Sequence, residues 1–178
     1  VAVGNFSLSA LTTASFNTAV GNNSLDANTT GTDNVGIGKD ALGANTTGGY
    51  NTAVGHSALG ANTTANHNAA FGRYSLKLNT TGTQNAGFGQ GTLTANTTAS
   101  DNTAVGYHAM ESNTTGDKNV AVGSLALDAN TTGGNNTTIG YESLTANTTG
   151  ASNTAVGWYS LRTNTTASNN TAVGENSL

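Results

Sequence analysis

The chain has 178 residues with no Cys and no Pro. Charged residues make up only 8% of it, against roughly 25% in typical soluble domains. Five basic and nine acidic residues are scattered rather than blocked and give a formal charge of −4, which excludes the basic patch a nucleic-acid partner requires. Without Cys there is neither a disulfide framework nor a thiolate metal site, and no apolar run approaches the ~20 residues of a membrane-spanning helix.

Glycine returns at Gly4, Gly21, Gly38, Gly55, Gly72, Gly89, Gly106, Gly123, Gly140, Gly157 and Gly174, a spacing of 17 residues with no insertion or deletion. So short a fixed period predicts a repeat architecture, in which no unit buries its apolar face alone and each stacks on its neighbours. Residues 1–178 are therefore one domain, a repeat array of ten full units and a partial one. Each unit is numbered here from its asparagine, so that Asn17 is phase 1 and Gly21 phase 5. Val1 then enters at phase 2 and Leu178 stops at phase 9, with no polar capping unit at either end, so the array is expected to be a segment of a longer fibre. Low complexity alone would also suit a disordered tract, but disorder does not require the strict register kept here.

The first unit departs from the rest, with Phe6 at phase 7, Leu11 in place of the phase-12 asparagine and Phe16 at phase 17. These residues either cover an end, touch a preceding element or are drift. From Asn17 onward the pattern predicts an all-β parallel β-solenoid with one 17-residue unit per turn and short strands at phases 2–4 and 7–9. Phase 4 is always Val, Ile or Phe: Val20, Ile37, Val54, Phe71, Phe88, Val105, Val122, Ile139, Val156 and Val173. Phase 9 is Leu25, Leu42, Leu59, Leu76, Leu93, Met110, Leu127, Leu144 and Leu161. These two columns are the expected core ladder.

Phase 2 is Thr or Val except at Ala69 and Ala86, in the two turns where phase 4 is Phe71 and Phe88. A smaller neighbour where the partner grows is volume compensation, and side chains two apart on a strand share a face. Phases 2 and 4 are therefore expected to point inward together. Phase 3, which holds only Ala, Gly or Thr, is expected to point outward, where a column of small residues suits close approach by another copy of the chain. Phase 5 glycine calls for either positive φ or room that a Cβ would fill. Asn at phases 1 and 12 would stack about 4.8 Å apart, within reach for amide ladders. Those ladders also account for the Asn-Thr-Thr tripeptides, starting at Asn28 and recurring to Asn164, which otherwise match the N-glycosylation pattern.

All fourteen Asp, Glu, Lys and Arg residues, with His56, His67 and His108, fall at phases 6, 7, 10, 16 or 17, which marks those phases as solvated corners. The histidines occupy different columns and turns with no carboxylate placed to orient them, so no catalytic site is expected. The phase-10 column of Asp26, Lys77, Glu111, Asp128 and Arg162 mixes signs and does not suit a divalent cation; no metal or cofactor is called for. Six of the ten aromatics lie at phases 6 and 7: Phe6, Tyr74, Tyr107, Tyr141, Trp158 and Tyr159. At a solvated corner they are candidates for stacking on a sugar or contacting a partner protein, such as a host-surface glycan or protein.

The unit Asn-Thr-Ala-Val-Gly, two variable residues, Ser-Leu, one variable residue and Ala-Asn-Thr-Thr-Gly resembles the repeats of bacterial and phage surface fibres; Asn102-Thr103-Ala104-Val105-Gly106 is one copy. It is similar to a longer version of the YadA-like head repeat of trimeric autotransporter adhesins, and to arrays that precede the C-terminal intramolecular chaperone of tail-fibre-like proteins. The resemblance covers every turn, departs in unit length, and implies a left-handed β-roll assembled as a homotrimeric extracellular rod on a cell surface or virion. The function expected is that of a structural fibre or adhesin segment. The rival reading is an ice-binding solenoid displaying Thr from phases 13 and 14, although adjacent Thr residues face opposite ways and form no Thr-x-Thr rank.

Overall fold

The computed structural model describes residues 1–178 as a parallel β-solenoid of about ten turns. One strand per turn builds a single 11-stranded parallel sheet in sequence order. The strands are β1 (Ala2–Val3), β2 (Thr18–Val20), β3 (Val35–Ile37), β4 (Thr52–Val54), β5 (Ala69–Phe71), β6 (Ala86–Phe88), β7 (Thr103–Val105), β8 (Val120–Val122), β9 (Thr137–Ile139), β10 (Thr154–Val156) and β11 (Thr171–Val173). Every pairing matches a residue with the one 17 further on, as in Thr18↔Val35 and Ala104↔Ala121.

The second expected strand, at phases 7–9, is absent, and a run of turns stands in its place. The backbone explains why. Residues at phases 7 and 9 sit in the left-handed region, for example Asn23 at φ 54°, Leu25 at 52°, His108 at 53° and Met110 at 52°. Neighbouring turns are still joined there by backbone hydrogen bonds, such as Leu25 N–H to Ala41 O at 3.0 Å and Leu93 N–H to Ala109 O at 3.1 Å. The wall opposite the sheet is thus a hydrogen-bonded stack of tight turns. At phase 5 both conditions hold: Gly21 has φ +135°, and a Cβ would come 2.6 Å from the carbonyl of Gly38 in the next turn.

The faces of the strand are the reverse of the expected parity. Phase 3 points inward: Ala19, Ala53, Ala70, Ala104, Ala121 and Ala155 are fully buried. Val20, Ile37, Val54, Phe71, Phe88, Val105, Val122, Ile139, Val156 and Val173 point outward with phase 2 and are half-buried or exposed, Phe88 at 42%. The interior is thin, so phase 3 packs straight onto the turn wall. A Cβ on Gly36 would lie 2.6 Å from Ser24 Oγ and 3.3 Å from Leu25 Cδ1, and one on Gly87 would lie 2.8 Å from Thr92 Oγ1. Small residues at phase 3 therefore record confinement from within, and the compensation between Ala69 and Phe71 lies on the outside.

Phase 9, from Leu25 to Leu161 and including Met110, lines the core, joined at phase 8 by Ala or Ser and in one turn by Thr92. Asparagines fill the rest. Asn45 Nδ2 donates to Asn28 Oδ1 at 2.9 Å and Asn62 Nδ2 to Asn45 Oδ1 at 2.8 Å, a ladder that continues to Asn164. The phase-1 ladder runs beside it, with Asn34 N–H donating to Asn17 Oδ1 at 3.0 Å. Both amides clamp one carbonyl: Asn17 Nδ2 and Asn28 Nδ2 reach Gly31 O at 2.8 and 2.9 Å. Every buried side-chain polar atom finds a partner, which removes the desolvation penalty of so many interior amides. Asn28 and its counterparts through Asn147 are fully buried, so their Asn-Thr-Thr triplets serve the ladder.

Candidate functional site

Two surfaces stand out on this scaffold. The first is the outer face of the sheet, formed by phases 2 and 4. It carries no charged residue in any turn and presents a continuous row of Val, Ile and Phe flanked by Thr, Val and Ala. Ile37, Val105 and Ile139 are all exposed on it. Phe71 and Phe88 form its one bulky feature, two rings stacked 5.0 Å apart and nearly parallel at 8°.

The second is the corner formed by phases 6, 7 and 10, where the repeat brings side chains from successive turns into columns. Tyr141, Trp158 and Tyr159 come together: Trp158 stacks on Tyr159 at 4.2 Å and Tyr141 lies 5.6 Å from Tyr159. Arg162 covers the Tyr159 ring at 4.2 Å and pairs with Glu142 at 3.0 Å. A hydrogen bond to the Glu142 carboxylate pushes the Tyr141 phenol above its ordinary pKa. Tyr74 stands apart from that group, with Arg73 and Lys77 over its ring, and the hydrogen bond that the Arg73 guanidinium donates to its phenol oxygen lowers its pKa. Tyr107 leans on His108 at 4.0 Å and shares no contact with the other aromatics of the set. Phe6, Leu11 and Phe16 are exposed, at 61%, 40% and 83%, and none belongs to the buried core.

The histidines are better placed than their scatter along the sequence implies. His108 Nδ1 lies 2.5 Å from Glu111 Oε2, because phases 7 and 10 of one turn converge, and His56 Nε2 lies 3.8 Å from Asp40. The far edge of the His108 ring rests on Gly91, where a Cβ would be 3.0 Å from Nε2. Tyr50 and His67 also stack, 5.0 Å apart, from the phase-17 positions of adjacent turns. Equal phase in consecutive turns is the signal that finds such pairs from sequence.

One continuous sheet, two asparagine ladders and a fixed 17-residue turn define the class: a parallel β-solenoid repeat protein. No family model matches the chain, and neither a curated protein nor a solved structure matches it. No helix is long and apolar enough to cross a membrane.

Proposed function

We propose that this solenoid is a rod-like structural segment of an extracellular fibre or adhesin, in which copies of the chain lie side by side through the outer sheet face, as a homotrimer. The observation that carries the reading is the uncharged, apolar outer column, running about 50 Å at ~4.8 Å per turn. A soluble monomer rarely leaves an apolar patch of that extent uncovered. The compensation between Phe71 and Ala69, and between Phe88 and Ala86, adds a second line of support. Both partners face outward, so a size constraint between them suits packing against a neighbouring chain at the same height. The threefold number comes from the resemblance to YadA-like repeats. The aromatic corner is built from phases 6 and 7, a different set of columns from phases 2 and 4, and is the surface offered to a host-surface glycan or protein.

Sedimentation of the wild-type chain and of Val105→Lys/Val122→Lys tests this. The wild type is expected as a trimer and the variant as a folded monomer, since both substituted side chains project away from the core. A wild-type chain that sediments as a well-folded monomer overturns the fibre reading. Ala104→Lys, by contrast, is expected to unfold the chain, because a charge enters the closed interior.

Ice binding is the second reading, favoured by the outward Thr18, Thr52, Thr103, Thr137, Thr154 and Thr171, which share the flat face with Val and Ile. The Phe71–Phe88 stack interrupts that face. Phase-13 threonines serve the stack, as Thr29 Oγ1 donates to Thr46 O at 3.1 Å and its counterparts follow. Thermal hysteresis from a monomeric wild-type preparation would move this reading to first place.

A further inference from the structure

The largest depression on the surface, about 520 Å³, lies on the corner between the second and fifth units. It exists because two consecutive turns omit the phase-10 side chain. Gly43 and Gly60 stand where every other unit that reaches phase 10 carries a side chain: Ser9, Asp26, Lys77, Thr94, Glu111, Asp128, Thr145 and Arg162. The backbone does not require glycine at either place. Neither has positive φ, and an added Cβ would meet its nearest neighbours at 3.4 Å at residue 43 and 3.2 Å at residue 60. What the two glycines supply is open space.

The notch has distinct walls. Asn23, Asp40 and Ser57 from phase 7 form a polar side, and Ala44, Ala61 and Leu78 from phase 11 form an apolar one. Asp26 and Lys77 close the ends, three turns or about 14 Å apart. Neither end charge has an ion-pair partner in the chain, whereas Asp40 is already engaged by Asn23 Nδ2 at 3.1 Å and by Lys39 at 3.6 Å. Asp26 Oδ1 leans over Gly43, and Lys77 lies against the Tyr74 ring at 4.6 Å.

We propose that this notch is a saccharide-binding site that takes a short oligosaccharide. A pyranose ring has an apolar C–H face and a rim of hydroxyls, which match one apolar wall and one wall of amide, carboxylate and hydroxyl groups. The free Asp26 carboxylate can accept from two adjacent hydroxyls at once. The volume falls in the range of small-molecule sites and holds roughly two or three rings. A divalent cation is disfavoured, because no three His, Asp or Glu side chains gather there. A peptide added as a strand is disfavoured as well, since the backbone is committed to the stack through Ala27 N–H to Gly43 O, Ala44 N–H to Gly60 O and Ala61 N–H to Lys77 O. The site lies on phases 7, 10 and 11, so it does not depend on association through phases 2 and 4.

The test is a titration of the wild-type protein with maltotriose, cellotriose and triacetylchitotriose, followed by amide chemical shifts, with tetra-alanine as comparator. At least one trisaccharide is expected to shift Asn23, Gly43, Ser57 and Gly60 with Kd of about 1 mM or tighter. Gly43→Thr/Gly60→Thr refills the notch with a residue that phase 10 carries at Thr94 and Thr145; it should weaken binding about tenfold or more with an unchanged melting temperature. Asp26→Asn should also weaken binding and serves as the test if the double variant folds poorly. No shift with any of the sugars, equal binding by the filled or Asp26→Asn protein, or binding of the peptide alone overturns the proposal. The mass of the same samples reports on the fibre reading independently.

Discussion

The two walls of the solenoid stack by the same repeat yet impose opposite steric rules. On the sheet wall the backbone is extended, and phases 2 and 4 are filled almost wholly by Val, Ile, Thr and Phe, as in Thr103 and Val105 of β7. On the turn wall the stacking hydrogen bonds persist, but phases 7 and 9 are left-handed, as at Leu93 with φ 51°. There a Cβ branch collides with the backbone, and no Val, Ile or Thr occurs at either phase in any turn. Conformation thus selects the residue type in each column before burial does. It explains why the core column is Leu or Met and never the β-branched residue usual in stacked strands.

The largest effect is expected at the seam between the walls. Asn96 Nδ2 donates to Asn79 Oδ1 at 2.8 Å and to Ala99 O at 3.0 Å, and Asn113 donates back to it. Asn96→Asp replaces the donor by a buried carboxylate facing two acceptors and should cost about 3–5 kcal/mol in denaturant unfolding. An unfolding curve that overlays the wild type would mean that the ladder is ornamental.

Next comes the contrast between the walls. Leu93→Ile, a swap that keeps volume, should cost about 1–3 kcal/mol because the branch meets a left-handed backbone, whereas Val105→Ile on the sheet wall should change stability by less than ~0.5 kcal/mol. Equal costs would remove the steric distinction. Thr97→Val deletes one rung, the 3.2 Å bond from Thr97 Oγ1 to Thr114 O, and should cost about 1 kcal/mol.

The smallest effect belongs to Asp128. Partial burial raises its carboxyl above the ordinary 3.8, opposed in part by the Thr145 hydroxyl donating at 2.5 Å. The folded chain then holds this proton to higher pH than the unfolded chain, so the contribution to stability falls as pH rises through that window. Asp128→Asn should remove the slope and slightly raise the melting temperature at neutral pH. A variant that melts lower at pH 7 and keeps the slope would contradict that assignment.

Periodicity alone carried the one-turn-per-17 architecture, the amide ladders and the solvated corners, because each depends on which residues recur in register. Strand parity was not legible from Ala69 and Phe71, since compensation shows that two columns meet something of limited size without saying on which side. The missing signal was at hand in phases 7, 9 and 17, none of which carries a β-branched residue in any turn; this marks left-handed backbone and therefore turns. The Gly43–Gly60 notch is hidden in the sequence for a different reason: among 24 glycines, two that no turn needs look like any others.

The unbroken register of the sheet also governs how such a rod could differ in reach. Inserting one residue within strand β7 ahead of Ala104 would turn Ala104 outward and Val105 inward in that turn, so changes of a single residue inside the strands are closed to this fold. Addition or removal of a whole unit preserves both amide ladders and moves the far end by about 4.8 Å. The molecule is in this sense a graduated ruler, its span counted in repeats.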